Sequence, residues 1–252
     1  MTRARATELL LLTLLATAGA AALALSQGQL AWSWDALNHH IYLGLIAEHP
    51  RWDLDVIPAS YQSYQYPYLY WPVYRLSQWD LPGPVLGAAW AGFQAAWLLP
   101  PLWVICLRLL PDQGSILIGA LWRTAACALG ALSLVLLASL QTTANDALAA
   151  VPLLWAIAVG LQEEPTDRQA FVAAALWGVS AAFKLSNGLF IFWLLLWWWV
   201  PRRPHWPLRR GLALSLGAVA GFGIAYAPWG LQLWHVTGNP FYPNFLSVFG
   251  AS

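Results

Sequence analysis

Seven stretches of this chain, 9–26, 84–109, 116–140, 146–161, 170–183, 186–200 and 211–229, consist almost wholly of apolar residues. A run of about 20 such residues is what an α-helix needs to cross a bilayer, where each backbone N–H and C=O must be paired within the segment. Seven such helices would use about 140 residues and leave the remainder to loops and ends. Only 9% of the 252 residues are charged and 60% are hydrophobic, against roughly 25% charged in soluble domains. That balance excludes an ordinary soluble enzyme, and it equally excludes a disordered chain, which so apolar a sequence could not keep solvated. The 18 Trp suit the boundary where a bilayer meets water. The expected fold is therefore all-α, a polytopic membrane helical bundle of about seven transmembrane helices. It forms a single transmembrane domain over 1–252, with a long first extracytoplasmic loop (27–83) containing interfacial helices and a C-terminal extracytoplasmic tail (230–252). The runs between 146 and 200 are short, so counts of six or eight stay open.

The basic residues set the expected orientation. With the N-terminus in the cytoplasm, Arg3, Arg5, Arg108, Arg123, Arg168, Arg202, Arg203, Arg209 and Arg210 fall on or near that side. Only Arg51, Arg75 and Lys184 fall on the other. The segment 201–210 is the firmest anchor. The first run ends in Ala-Leu-Ala-Leu-Ser and reads as an uncleaved signal-anchor, with a cleaved signal peptide as the alternative. Cys106 and Cys127 both sit inside apolar runs and read as small buried hydrophobes. The net charge of +1 gives no field for nucleic acid.

This orientation leaves only solvating charges, such as Glu163, Glu164, Asp167 and Arg168, on the cytoplasmic face. All the small polar clusters lie outside. After the first run, Asp35, Asn38, His39 and Tyr42 fall at i, i+3, i+4 and i+7 and predict one polar stripe of an amphipathic helix, with Leu37, Ile41 and Leu45 opposite. Asp35 and His39 sit where a carboxylate and an imidazole can share a proton or a metal, which makes a general base. No third ligand is identifiable by spacing, so no cofactor is certain and a divalent metal stays open. Asp53-Leu-Asp55 is a literal Asp-x-Asp, read as coincidence or as acids at a helix start. The Tyr-rich piece 61–70 reads mainly as interface packing. Thr143 with Asp146 fits a capping box, and the same carboxylate also suits orienting a hydroxyl. Lys184 lies in a tight turn where an ammonium either snorkels or meets a lipid phosphate. Thr237-Gly-Asn239-Pro-Phe-Tyr-Pro-Asn244 reads as a proline-stiffened loop able to wall a groove.

Asp35-Ala-Leu-Asn38-His39-His40-Ile-Tyr42, Pro58-Ala-Ser-Tyr61-Gln62, Tyr66-Pro67, Asn145-Asp146-Ala-Leu-Ala-Ala, Phe183-Lys184-Leu-Ser-Asn187 and Gly238-Asn239-Pro240-Phe241-Tyr242-Pro243-Asn244 together span most of the chain. This arrangement resembles the GT-C class of bacterial polytopic membrane glycosyltransferases, apparently shortened to the N-terminal module. The resemblance implies a multi-pass protein of the bacterial inner membrane that moves a sugar from a polyprenyl-phosphate donor to an acceptor on the extracytoplasmic face, with inversion. By the same resemblance Asp35 is the catalytic base. His39, Asn38, Tyr42, Asp146 and Asn239 are substrate-binding residues, and Lys184 touches the donor phosphate. The implied partners are the lipid-linked sugar donor, membrane lipids and other membrane subunits that supply missing helices. The class also pairs acidic residues next to the catalytic one, and Asp35 has no such neighbour. The alternative is a catalytically inactive, shortened subunit acting as scaffold in a larger membrane complex. A transporter ranks last, because the runs show no charges at mid-depth and no paired broken helices.

Overall fold

The computed structural model describes residues 2–28, 33–55, 58–110, 115–140, 142–162, 166–192 and 208–250. The described residues form helices joined by loops, with no strand among them. Among the described residues three helices are long and apolar enough to cross a membrane: α1 (Arg3–Gln27), α4 (Gly83–Leu109) and α9 (Leu208–Thr237). Between α1 and α4 lie a helical segment over 34–46 that ends in α2 (Ile41–Ile46), a short 3-10 turn (Ser60–Tyr64) and α3 (Trp71–Ser77). The remaining helices are α5 (Ile116–Ala131), α6 (Leu134–Ser139), α7 (Asp146–Gly160), α8 (Asp167–Phe183) and α10 (Leu246–Phe249). The chain is an all-helical membrane protein. The predicted run 186–200 beyond residue 192, the basic segment 201–207, and Glu163 and Glu164 lie outside the described residues.

Local chemistry explains where the helices start and stop. Thr2 caps α1, accepting from the Arg5 N–H at 3.4 Å. Thr166 and Gln169 close a reciprocal capping box on α8. The predicted run 116–140 is not one helix. It breaks at Leu132, and Ser133 recaps α6 by accepting from Leu136 N–H at 3.3 Å. The last long helix extends past its apolar run to Thr237, so the tail begins eight residues later than its expected start at 230.

Helix packing orders α1, α4, α7, α8 and α9 side by side, each in contact with the next, and α5 lies against α4. The α8–α9 contact is the closest. A Cβ on Gly221 would lie 1.9 Å from the Ala175 carbonyl oxygen, and one on Gly217 would lie 2.3 Å from that of Phe171. Glycines four apart on α9 thus let two backbones touch, which is how helices associate where lipid is as apolar as their side chains. Gly178 on α8 answers from the other side, 2.3 Å from the Ala218 oxygen.

The bundle holds a buried charge pair. Arg123, in the middle of α5, is fully buried and grips Glu8 of α1 through two parallel bonds of 2.8 Å. Trp103 of α4 donates to the same carboxylate at 2.8 Å. The pair survives at depth because each charge is matched and hydrogen-bonded. Cys106 and Cys127 are free thiols packed beside this cluster, sulfur to sulfur 3.7 Å.

Candidate functional site at the α7–α8 turn

At the end of the bundle where α7 begins and α8 ends, the loop helices and the 242–244 turn enclose a cavity of about 460 Å³. Asp35, His39, Asp146 and Lys184 line it, so four of the residues singled out in the sequence converge there. Gln62, Tyr64, Tyr66, Tyr70 and Asn145 line it too, as do Tyr226 of α9 and Tyr242.

Asp35 opens the first helical segment of the loop. Its first turn is wide, with the Ile41 N–H bonding back five residues to the Ala36 oxygen. Ala36, His39, His40 and Leu43 are buried, whereas Leu37 of the predicted apolar stripe is 70% exposed. The buried face is thus the one carrying the imidazoles, and Trp34 and Leu37 point outward. The two histidines sit edge to face, 4.3 Å between centroids. His40 stacks on Tyr70 at 4.7 Å, and its Nδ1 meets the Thr143 hydroxyl at 2.7 Å. Burial pushes the His40 imidazole down to about 4, helped by His39 beside it and only partly opposed by Asp35 and Asp146. Burial also lowers His39, against the pull of Asp35. Both rings are therefore neutral at pH 7.

Asp146 is the first residue of α7, and its carboxylate pairs with the Lys184 ammonium just past the end of α8. The expected capping box does not form. Asn145, not Thr143, occupies the cap position, and the Thr143 hydroxyl is committed to His40. The Lys184 turn is itself fixed to α7. Asn187 donates to the Ala149 carbonyl (3.3 Å) and to Ser180 (3.0 Å), which bonds the same carbonyl at 2.6 Å. The indole N–H of Trp90 in α4 holds the facing loop through the Thr142 carbonyl at 2.8 Å.

Three predicted site residues do not line the cavity. Asn38 stands one layer back and donates to Gln62 at 3.1 Å. Tyr42 points to Asp55, and burial together with that carboxylate pushes its hydroxyl up to about 12. Asn239 is fully buried and builds the loop instead: its Oδ1 accepts from Phe241 N–H at 2.9 Å and its Nδ2 donates to the Asn244 carbonyl at 2.7 Å. Asp-x-Asp is likewise away from the cavity, with Asp55 paired to Arg51 at 3.3 Å.

His40, Gln62, Tyr64, Tyr66, Tyr70 and Tyr242 were not singled out as site residues. The tyrosine run 61–70 was the signal for Tyr64, Tyr66 and Tyr70. Tyr66 spans to α9 by donating to the Ala225 carbonyl at 3.2 Å, and burial raises its hydroxyl to about 12. Tyr64 packs edge-on against Tyr242 at 4.6 Å and flat on Trp52 at 5.8 Å. Trp229 of α9 donates to the Tyr64 carbonyl at 3.1 Å. These rings give the cavity stiff walls that present both apolar faces and hydroxyls.

Chemically the cavity offers two carboxylates, one ammonium, two neutral imidazoles and aromatic walls. Among the described residues no group of three or more His, Cys, Asp or Glu side chains gathers to hold a metal. Tyr226 also lines a second hollow of about 670 Å³ between α8 and α9, walled by Trp177, Ala181, Phe222, Trp234 and Phe241. Compared with known proteins, the sequence matches no family model, and no curated protein and no solved structure resembles it at a significant level.

Proposed function

We propose that this chain is a membrane glycosyltransferase module of the GT-C kind. It lies in a bacterial inner membrane with its N-terminus cytoplasmic, crosses about seven times, and transfers a sugar from a polyprenyl-phosphate donor to an acceptor hydroxyl outside. The observation that carries this reading is the convergence of Asp35, Asp146, Lys184 and the 242–244 turn, far apart in sequence, on one cavity. A transfer of this kind needs a base for the acceptor, positive charge for the leaving phosphate, and a surface for the sugar ring. Asp35 supplies the first, with a side chain 54% exposed and free to approach a hydroxyl. Lys184 supplies the second once Asp146 releases it, and Asp146 then orients a sugar or acceptor hydroxyl. The tyrosines supply the third. The apolar hollow that shares Tyr226 offers the lipid tail a path leading away from the polar end. Trp34 and Leu37, both 70% exposed, suit a loop helix seated in the membrane interface.

The test is transfer of radiolabelled sugar from polyprenyl-phosphate sugars by membranes carrying the chain. Asp35→Asn is expected to lower the rate by about 10²–10⁴, the usual worth of a positioned base, with membrane insertion unchanged. Indifference to Asp35→Asn, combined with stable co-purification in a larger complex, would replace the enzyme with a scaffold subunit.

A further inference from the structure

Among the described residues, one buried polar side-chain atom in the cavity wall has no hydrogen-bond partner. Nδ1 of His39 is buried and unbonded, on a side chain only 5% exposed. A buried donor or acceptor left unsatisfied destabilises the fold unless a ligand completes it. Its neighbour His40 shows the contrast, since the Nδ1 of that ring is taken by Thr143 at 2.7 Å. The charged atom facing His39 is Asp35 Oδ1 at 3.8 Å, too far for a hydrogen bond between them. Two atoms at that separation can both reach a single oxygen seated between them at about 2.8 Å from each.

We propose that His39 is a second catalytic residue, its Nδ1–H donating to the acceptor oxygen while the acceptor hydroxyl donates to Asp35. This assignment rests on the transferase reading above and sharpens it, because it names a second group that acts on the acceptor hydroxyl. An ammonium has no lone pair for His39, and a carboxylate would face Asp35 with like charge. In the reaction the bond from acceptor oxygen to the sugar C1 forms as the O–H bond breaks, and that proton passes to Asp35. The bond from C1 to the phosphate oxygen breaks, and its electron pair leaves on the polyprenyl phosphate. The proton on Asp35 then passes to solvent. Negative charge building on the acceptor oxygen as its proton leaves meets the His39 N–H.

The amide nitrogen of Asn reaches about as far as Nδ1 of His, and that of Gln reaches the position of Nε2. With the full chain in nanodiscs, His39→Asn is expected to keep transfer within about tenfold of the unsubstituted chain. His39→Gln and His39→Ala are expected to lose about 10²–10³ in kcat with KM little changed. Equal activity in all three variants overturns the proposal. A second measurement is independent of transfer: nitrogen NMR of histidine-labelled chain titrated with methyl α-glucoside. The expected result is a protonated His39 Nδ1 whose signal moves with the sugar and fails to move in Asp35→Asn. An unmoved or unprotonated Nδ1 overturns the proposal. A moving signal in a chain that transfers no sugar keeps the hydroxyl site and removes the transferase reading.

Discussion

Two of the acid–base pairs that link helices in this protein behave as opposites. Glu8–Arg123 is closed. The guanidinium is fully buried, and Trp103 and the Leu110 carbonyl at 3.3 Å take up further capacity. Lys184–Asp146 is open, with side chains 36% and 55% exposed at the edge of a cavity. The first pair is bound to stay made, because separating it strands a charge among lipid-facing helices. The second can exchange one partner for an incoming anion at little cost. Structure and reactivity are thus divided between two pairs of similar chemistry by the water each can reach.

The largest effect that tests this contrast falls on the closed pair. Arg123→Met removes the guanidinium that Glu8 binds through two bonds and is expected to cost about 3–5 kcal/mol of unfolding free energy in detergent micelles; a loss under about 1 kcal/mol would end the distinction. Next comes packing beside the open pair. Gly221→Val puts a branched side chain where its Cβ alone would lie 1.9 Å from the Ala175 carbonyl oxygen, and it is expected to cost about 1–3 kcal/mol. It should also reduce transfer by displacing α8 and with it the Lys184 turn, whereas equal thermal stability to the parent would show that the α8–α9 contact is looser. Lys184→Met is expected to change stability by less than about 1 kcal/mol yet to raise the KM for a polyprenyl-phosphate donor at least tenfold. A KM unchanged would separate Lys184 from the phosphate.

A further effect is on pH. The His40 imidazole is held near 4 when folded, against 6.5 unfolded. Between those values the unfolded chain binds more protons, so the contribution of His40 is complete above 6.5 and is lost as pH falls toward about 4. Thermal melts from pH 7.5 to 4.5 should show the midpoint falling in that window, and His40→Gln should flatten part of the fall. A His40→Gln profile parallel to the parent would remove His40 from the account. His39, lowered in the same direction, continues to contribute in that variant.

The site was legible wherever a short polar side chain interrupts an apolar background. Asp35, His39, Asp146 and Lys184 stand out because nothing around them needs charge for solubility. The same rule did not show that the Asn239 amide serves its own loop, since a turn-forming Asn and a ligand-binding Asn look alike in a sequence. It also misassigned Thr143, because capping-box spacing cannot show that a histidine about a hundred residues earlier will take the hydroxyl. The tyrosines that wall the cavity were visible only as aromatic content. Which of them face inward depends on Trp229 and the Ala225 carbonyl of α9, far along the chain.

Hydropathy by itself determined that this chain is helical and membrane-embedded, because unpaired backbone has no other refuge in hydrocarbon. Local polarity determined which residues were available for chemistry. Only the tertiary structure decided that Arg123 closes on Glu8 while Lys184 stays exchangeable, and that one imidazole of two is left unsatisfied. Those outcomes depend on burial and on partners brought from distant helices, and neither is a property of neighbours in sequence.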